Sequence, residues 1–500
     1  MQQRRASGES LMRAIDDRRR TIVPVLHVIS LFVTALGLLM LVPAVVDAVS
    51  DHPDWQVFTI SAATVSFFGL ALGMATRGPL FRLSVHQGFL LTTGLWLAAA
   101  LVGAVPLMYS EFNLDLADAF FESMSGLTTT GSTVITGLDA APPGILLWRA
   151  MLQAIGGIGF IVVGLAILPM LRVGGMQLFR LESSEKSDKA VPQARHFALL
   201  LLGIYAALTF ACAIALRASG MDWLEATTHA MSTLSTGGFS TSDASVGHFG
   251  SPAIEWIITL FMLAGSLPFI LYLRFLQGRP QAIFADEQAR GYLRFLVVVS
   301  VGLAIWLMAT RPVGPLEALR LAAFNVVSVV TTTGFASTDY STWGNFAVCV
   351  FFLLTFVGGC TGSTSGGLKA FRFDILYVAL RGYLHRLIYP HSAIAPTYNG
   401  RAVGDDIFSG VLLFMGVYLI SVAGVALVLS LLGLDLITSV SGAATAIGNV
   451  GPGLGPVIGP AGNFAPLPDA AKWVLAFAML LGRLEFFTIL ALCTRSFWRQ

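Results

Sequence analysis

Charge is scarce in this chain. Only 12% of its 500 residues are Asp, Glu, Lys or Arg, about half of the roughly 25% carried by soluble globular domains. With 55% hydrophobic residues and a mean hydropathy of +0.77, that scarcity excludes an ordinary soluble protein. Cysteine is scarce too. The residues at 212, 349, 360 and 493 lie scattered through apolar runs; their spacing fits neither a metal site nor a disulfide framework, and they read as small buried hydrophobes. The short alternating segments of an outer-membrane barrel are missing as well.

What the chain has is apolar length. A bilayer core takes about 20 mostly apolar residues per helix, and ten candidate spans fit, at about 25–47, 55–76, 87–109, 147–171, 196–217, 253–276, 292–310, 344–376, 406–431 and 471–493. A basic arm (Arg4, Arg5, Arg13, Arg18 to Arg20) precedes the first run, which is too long for a signal peptide and is read as a retained span. With the N-terminus inside, the loops after even-numbered spans face the cytoplasm. They carry Arg77 and Arg82, then Arg172, Arg180, Lys186, Lys189 and Arg195, then Arg279 and Arg290, then Arg381, Arg386 and Arg401, with Arg495 and Arg499 in the tail. This is the positive-inside distribution. The opposite side carries Asp47, Asp51, Asp54, Glu111, Asp115, Asp118, Glu122, Asp139, Asp222, Glu225, Asp243, Asp339, Asp435 and Asp469, and fewer basic residues, with Arg217 and Arg311 as exceptions. These could form a mouth that concentrates cations, or simply a solvated face that avoids positive charge.

Four outer segments share one pattern: "MSGLTTTGSTV" from Met124, "MSTLSTGGFST" from Met231, "VSVVTTTGFAST" from Val327 and "ATAIGNVGPG" from Ala444. They align on Gly131, Gly238, Gly334 and Gly451. Each follows a short, weakly amphipathic segment and precedes another span, so a unit of span, short helix, glycine turn and span recurs with a period near a hundred residues. Segments this short cannot cross a bilayer. They fit re-entrant loops, which are tolerated only around a protein-lined or wet cavity. A glycine there frees the backbone to aim carbonyl oxygens at a shared axis, and rings of carbonyls can replace the water shell of a cation. The Thr and Ser hydroxyls beside it can shape the loop or add oxygens. No carboxylate stands in the turns, which favours a monovalent over a divalent ion; potassium and sodium are not separated by this reasoning. The expected filter residues are Thr129, Thr130, Gly131, Thr236, Gly237, Gly238, Thr332, Thr333, Gly334, Asn449, Val450 and Gly451.

The eighth span is interrupted by "FVGGCTGSTSGGLKAFRFD", with Gly358, Gly359, Gly362, Gly366 and Gly367 inside ten residues. Each glycine destabilises a helix by about 1 kcal/mol relative to alanine, so the stretch reads as an intramembrane loop, either a gate or a passive packing break. Lys369 could fix that loop or snorkel to the inner interface. "QAIGGIGFIVVG" from Gln153 reads as a close-packing helix surface, and Pro268 as a bend. In the last span Arg483 and Glu485 sit within apolar sequence, which marks function by default; Arg483 could face the pore beneath the turns or pair with Glu485. The histidines at 196, 229, 385 and 391 make no metal spacing, and His229 reads as a packing residue. A coupled secondary transporter is the alternative to a channel, although only Glu485 offers it a central acidic group. An enzyme is not expected.

Taken together, "SMSGLTTTGST", "STLSTGGFSTSD", "TTTGFASTDY", "TAIGNVGPGLG", "GGCTGSTSGGLK" and "LLGRLEFF" resemble the membrane subunit of Trk potassium-uptake systems, within the Trk/Ktr/HKT superfamily, over essentially the whole chain. The resemblance implies an all-α polytopic membrane protein with four pseudo-repeats of helix, pore loop and helix around one pore, plus two extra N-terminal helices. The corresponding divisions are 1–83, 84–180, 190–280, 290–386 (with the loop at 358–367) and 404–500. It implies potassium as the transported ion, held at the backbone carbonyls of Thr130, Gly131, Gly237, Gly238, Thr333, Gly334, Val450 and Gly451. The loop with Lys369, and Arg483, match the family's gate and its basic residue beneath the filter. A homodimer in the bacterial cytoplasmic membrane is implied, with both termini cytoplasmic and a ring of cytosolic nucleotide-binding subunits. No nucleotide fingerprint occurs in this chain, so no organic cofactor is expected, and no nucleic-acid partner. Pro452 after the fourth glycine makes that turn the least regular.

Overall fold

The computed structural model describes residues 22–78, 84–162, 190–389, 397–495 and 497–499. The N-terminal arginines, Arg82, Arg172, Arg180, Lys186, Lys189 and His391, invoked above for topology and metal spacing, lie outside the described residues. Apart from a small hairpin pairing Thr397–Tyr398 with Arg401–Ala402, the described chain is helical.

Among the described residues, seven helices are long and apolar enough to cross a bilayer, or nine if each of two bent pairs is one span. The expected bend at Pro268 is present: Pro252–Ser266 and Phe269–Leu276 meet at 91°, because proline at the joint has no N–H to continue the ladder. The eighth span is split into Asn345–Leu354 and Ala370–Ile388, with irregular backbone between them. Large apolar side chains are widely exposed, for instance Ile420 at 73%, Leu427 at 72% and Leu431 at 86%, as lipid-facing helices require.

Two compact units divide the chain. One comprises residues 1–114 and 487–500. Within it, Ile22–Val49 and Trp55–Ala75 pack through small residues: a Cβ on Gly69 would lie 2.4 Å from Thr34 Oγ1, and one on Gly37 2.6 Å from Ser66 Oγ. Small-on-small contact is how membrane helices approach closely.

The other unit, 115–486, holds four short helices, Leu116–Leu127, Trp223–Leu234, Pro315–Val330 and Leu436–Gly448. Three start on an aspartate whose carboxylate accepts a backbone N–H in the first turn: Asp115 from Asp118, Asp222 from Glu225 and Asp435 from Thr438. The third starts on Pro315, whose missing N–H would be unpaired there in any case. All four are buried over most of their length. Some of the hydroxyls at these helices bond back one turn, as Thr128 does to the Met124 carbonyl (2.7 Å) and Thr233 to that of His229 (2.6 Å). Gly156, Gly265 and Gly482, on the helix after three of them, sit against the carbonyls of Leu127, Leu234 and Ile447, where a Cβ would come to 1.8, 3.0 and 2.0 Å.

Two of the cysteines are buried, Cys212 and Cys360, whereas Cys349 and Cys493 are exposed. The expectation that all four are buried fails for those two because an apolar sequence in a membrane helix can face lipid as well as core.

Candidate functional site: four glycine turns above an intramembrane loop

Each short helix ends in the same backbone manoeuvre. Thr129, Thr236, Thr332 and Asn449 adopt positive φ, at 54, 52, 59 and 52°. The next residue then donates its N–H five residues back: Thr130 to the Ser125 carbonyl (2.8 Å), Gly237 to Ser232 (2.8 Å), Thr333 to Ser328 (2.9 Å) and Val450 to Thr445 (3.0 Å). This is the Schellman type of helix termination, which satisfies carbonyls the helix leaves open. A left-handed threonine is an outlier for a β-branched residue, and such positions store on the order of 1–3 kcal/mol each. After it come Gly131, Gly238, Gly334 and Gly451, with φ of 86, 78, 84 and 110°.

The four turns meet. A Cβ built on Gly131 would lie 2.2 Å from the carbonyl oxygen of Gly237, one on Gly238 1.9 Å from that of Thr333, one on Gly334 2.1 Å from that of Val450, and one on Gly451 2.7 Å from that of Thr130. The contacts run from the first turn to the second, third and fourth and back to the first. Eight of the twelve expected turn residues make these contacts, and the other four, Thr129, Thr236, Thr332 and Asn449, are the positive-φ residues just before them. The four glycines also line a single funnel of about 230 Å³, together with Ser132, Arg149, Ser240, Asp243 and Pro452. Two outer acidic groups brace the segments beside it: the Asp243 carboxylate accepts the N–H of Gly137 (2.8 Å) and of Leu138 (3.1 Å). The Asp139 carboxyl is held below the ordinary range, chiefly by its hydrogen bond with Ser242.

The segment after each glycine is held from inside, by residues to which the sequence assigned no such role. Glu122, His229 and Asn325 each stand nine residues before their glycine. Glu122 accepts from Thr133 Oγ1 (3.0 Å) and the Val134 N–H (2.9 Å). His229 bonds Ser240 Oγ at 3.0 Å, and Asn325 bonds Ser337 Oγ at 2.9 Å. Before the fourth turn Ser441 takes this part, accepting the Leu454 N–H at 3.0 Å. Glu122 was expected among the outer acidic groups. It is instead 1% exposed and pairs with buried Arg149, whose Nε lies 2.8 Å away; Nη1 of the same guanidinium donates to the Ser240 carbonyl (3.0 Å). It therefore adds no field at the mouth. The only signal was a polar residue at a fixed offset in three repeats.

Beneath the ring lies the interrupted span. The Gly366 N–H donates to Thr332 Oγ1 (2.7 Å) and Thr236 Oγ1 to Thr364 Oγ1 (3.2 Å), so two left-handed threonines hold the loop directly. A Cβ on Gly366 would meet the Gly448 carbonyl at 2.7 Å. The loop is also pinned to the bent sixth span, by the Cys360 N–H on the Ser266 carbonyl (3.0 Å) and the Phe269 N–H on the Gly362 carbonyl (2.9 Å). The flanking glycines lie side by side: Gly358 donates to the Leu368 carbonyl, a Cβ on Gly367 would be 3.1 Å from the Gly358 α-carbon, and the Gly359 carbonyl accepts from Ala370.

Lys369 and Arg483 converge on the loop. Lys369 Nζ donates to the Ser365 carbonyl (2.6 Å) and Arg483 Nη1 to the Thr364 carbonyl (2.9 Å). Both cations lie over the ring of Phe160, at 4.6 and 4.0 Å from its centre. Lys369 is 1% exposed, so it does not snorkel. Arg483 does not pair with Glu485, whose carboxylate is held by the buried guanidinium of Arg372; the turn after Gly482 carries Glu485 away from Arg483, with φ of 55° at Glu485. His229 is a packing residue as expected, stacked on Phe335 at 5.8 Å.

Comparison with known proteins adds sequence breadth to this geometry. The family model TrkH, described as a cation transport protein, matches residues 54–498. The Trk system potassium uptake protein TrkI of Halomonas elongata is 47% identical over 489 residues, covering 98% of this chain and 99% of that protein. The Trk system potassium uptake protein TrkH of Escherichia coli is 37% identical, covering 95% and 99%. Among solved structures, the potassium transporter TrkH from Vibrio parahaemolyticus superposes with a TM-score of 0.88 at 33% identity, covering 96% of this chain and all of that one.

Proposed function

The chain belongs to the TrkH family of cation transport proteins, and on that premise we propose that it takes up potassium through the axis of its four glycine turns. The carbonyls of Thr130, Gly237, Thr333 and Val450 strip and replace part of the ion's water shell, with those of Gly131, Gly238, Gly334 and Gly451 as the adjoining layer. Neutral oxygens are matched to a weakly hydrated monovalent ion. The observation that carries this reading is the closed sequence of glycine-to-carbonyl contacts around the four turns.

The loop between Gly358 and Gly367 acts as the gate, with Lys369 and Arg483 as its clasps. Support comes from its position under the turns and from hydrogen bonds that tie it to two of them. Flow is passive and driven by the membrane potential. Coupling to protons or sodium is less well supported, because Glu485, the central acidic group it would need, is neutralised by Arg372. The family resemblance supports a homodimer in the bacterial cytoplasmic membrane, both termini inside, controlled by a cytosolic nucleotide-binding subunit.

The test is flux into liposomes holding the purified chain, with potassium, rubidium, sodium and lithium compared. Potassium and rubidium should pass in preference to sodium and lithium, and reversal potentials should follow the potassium gradient. Equal passage of all four, or a fixed dependence on a proton or sodium gradient, would refute the proposal.

A further inference from the structure

The four turns are not equivalent, and the difference lies at Gly237. In the first and third turns the residue before the glycine is a threonine whose hydroxyl packs against its own helix end: Thr130 Oγ1 is 2.7 Å from Thr128 Oγ1, and Thr333 Oγ1 2.8 Å from Thr331 Oγ1. The fourth has Val450 in that place. The second has no side chain there. The space is filled by Gln153, which comes from the preceding repeat, on helix Pro143–Val162. A Cβ on Gly237 would lie 2.4 Å from Gln153 Cδ, 2.6 Å from its Oε1 and 2.8 Å from its Nε2. The amide is fully buried and both its atoms are engaged: Nε2 donates to the Gly237 carbonyl at 2.6 Å, and Oε1 accepts the Phe239 N–H at 3.2 Å.

The geometry points to Gln153 as a positioning residue for the second quarter of the ring, supplied in place of the side chain that Gly237 lacks. This rests on the filter reading above. The Gly237 oxygen is also the one that faces Gly131. Gln153 therefore fixes where that oxygen stands and, by donating to it, draws some of its electron density away from the axis. A glycine with no Cβ is otherwise the freest backbone in the ring. At the residue before the glycine, the second turn gains from a neighbouring segment the brace for which the first and third use a threonine of their own, the first with added support from the Asn449 amide on Thr130 Oγ1 (3.0 Å). Gly237 and Gln153 are thus one device, in which glycine is needed because the amide occupies its side-chain space.

The device predicts reciprocal rescue. Gln153→Ala leaves the second turn unbraced. Gly237→Thr drives a side chain into the amide. The double variant restores a threonine turn like the first and third and gives it room. The readout is the ratio of rubidium to sodium flux in liposomes, with monodispersity in detergent checked for each variant. A net hydrogen bond corresponds to roughly three- to tenfold, and the ratio should fall by about that much in Gln153→Ala. It should fall further in Gly237→Thr, and return towards the starting value in the double variant. Gln153→Met, which keeps the volume and removes the donor, should behave like Gln153→Ala and serves if the alanine variant does not stay monodisperse. An unchanged ratio in the soluble Gln153 variants, or Gly237→Thr equally damaging with alanine at 153, overturns the inference. Gly334→Ser, measured alongside, separates the two claims. If it shifts the ratio while the Gln153 variants do not, the filter stands and the role of Gln153 falls; if neither shifts it, both fall.

Discussion

The carbonyl oxygen of Thr130 stands 2.7 Å from the point where a side chain on Gly451 would begin. That contact joins the first short helix to the last and closes the ring of turns. It explains the pattern of glycine: at each of the four positions the space of the missing Cβ is taken by backbone from a neighbouring turn, so no larger residue fits without moving that carbonyl.

Replacing Gly131 by serine is accordingly expected to admit sodium. The new Cβ would meet the Gly237 oxygen at 2.2 Å, and the left-handed φ of 86° adds strain. A loss of discrimination of about tenfold, equivalent to about 1.4 kcal/mol, should appear as a lower rubidium-to-sodium flux ratio. An unchanged ratio would count against the ring as the selective element.

Arg483→Ala removes the donor to the Thr364 carbonyl and one of the two cations over Phe160. Deleting part of Gly358–Gly367 removes the loop itself. Both should raise basal flux in liposomes containing the chain alone, the deletion more than the point change. Equal or lower flux from a monodisperse deletion variant would make the loop a packing element.

Thr332 holds two tasks in one residue, a strained φ of 59° and a hydroxyl that accepts the Gly366 N–H. Thr332→Gly relieves the first and loses the second. Relief of a left-handed strain is worth about 1–3 kcal/mol and the Gly366 N–H left unpaired costs about as much, so thermal stability should change little while basal flux increases. Lower stability with unaltered flux would show that the hydroxyl does not restrain the loop.

Arg149→Ala should be the most damaging of these changes to stability. It leaves Glu122 buried without its cation, and breaking a buried pair from one side typically costs about 3–5 kcal/mol. Thermal unfolding in detergent should show the loss, and adding Glu122→Gln should recover part of it, since a neutral amide can still bond Thr133. No recovery in the double variant would mean that the guanidinium matters mainly through the Ser240 carbonyl and the ring of Phe239, whose centre lies 4.1 Å from it.

Much of this arrangement was legible in the chain. Apolar runs set the spans, and Gly131, Gly238, Gly334 and Gly451 could be aligned because each ends a short helix with the same local chemistry. The glycines around Cys360 marked a break, since no helix keeps so many in so short a stretch. Partnerships across repeats were not legible. Nothing in "WRAMLQAIGG" tells that Arg149 reaches Glu122 or that Gln153 reaches Gly237, because those contacts depend on which helices become neighbours. Glu122 looked like one more outer acidic residue, and only burial changes that. Arg372, at the end of the glycine-rich stretch and given no role there, took the carboxylate of Glu485 that sequence proximity offered to Arg483.

The most direct test of the central claim is the position of a heavy monovalent cation in crystals or frozen complexes of this chain, using rubidium or thallium and its anomalous signal or density. The account predicts ordered ion density on the axis, within coordination distance of the carbonyls of Thr130, Gly237, Thr333 and Val450. Transport-competent protein with no density there, and with the ion bound elsewhere among the helices, would contradict it.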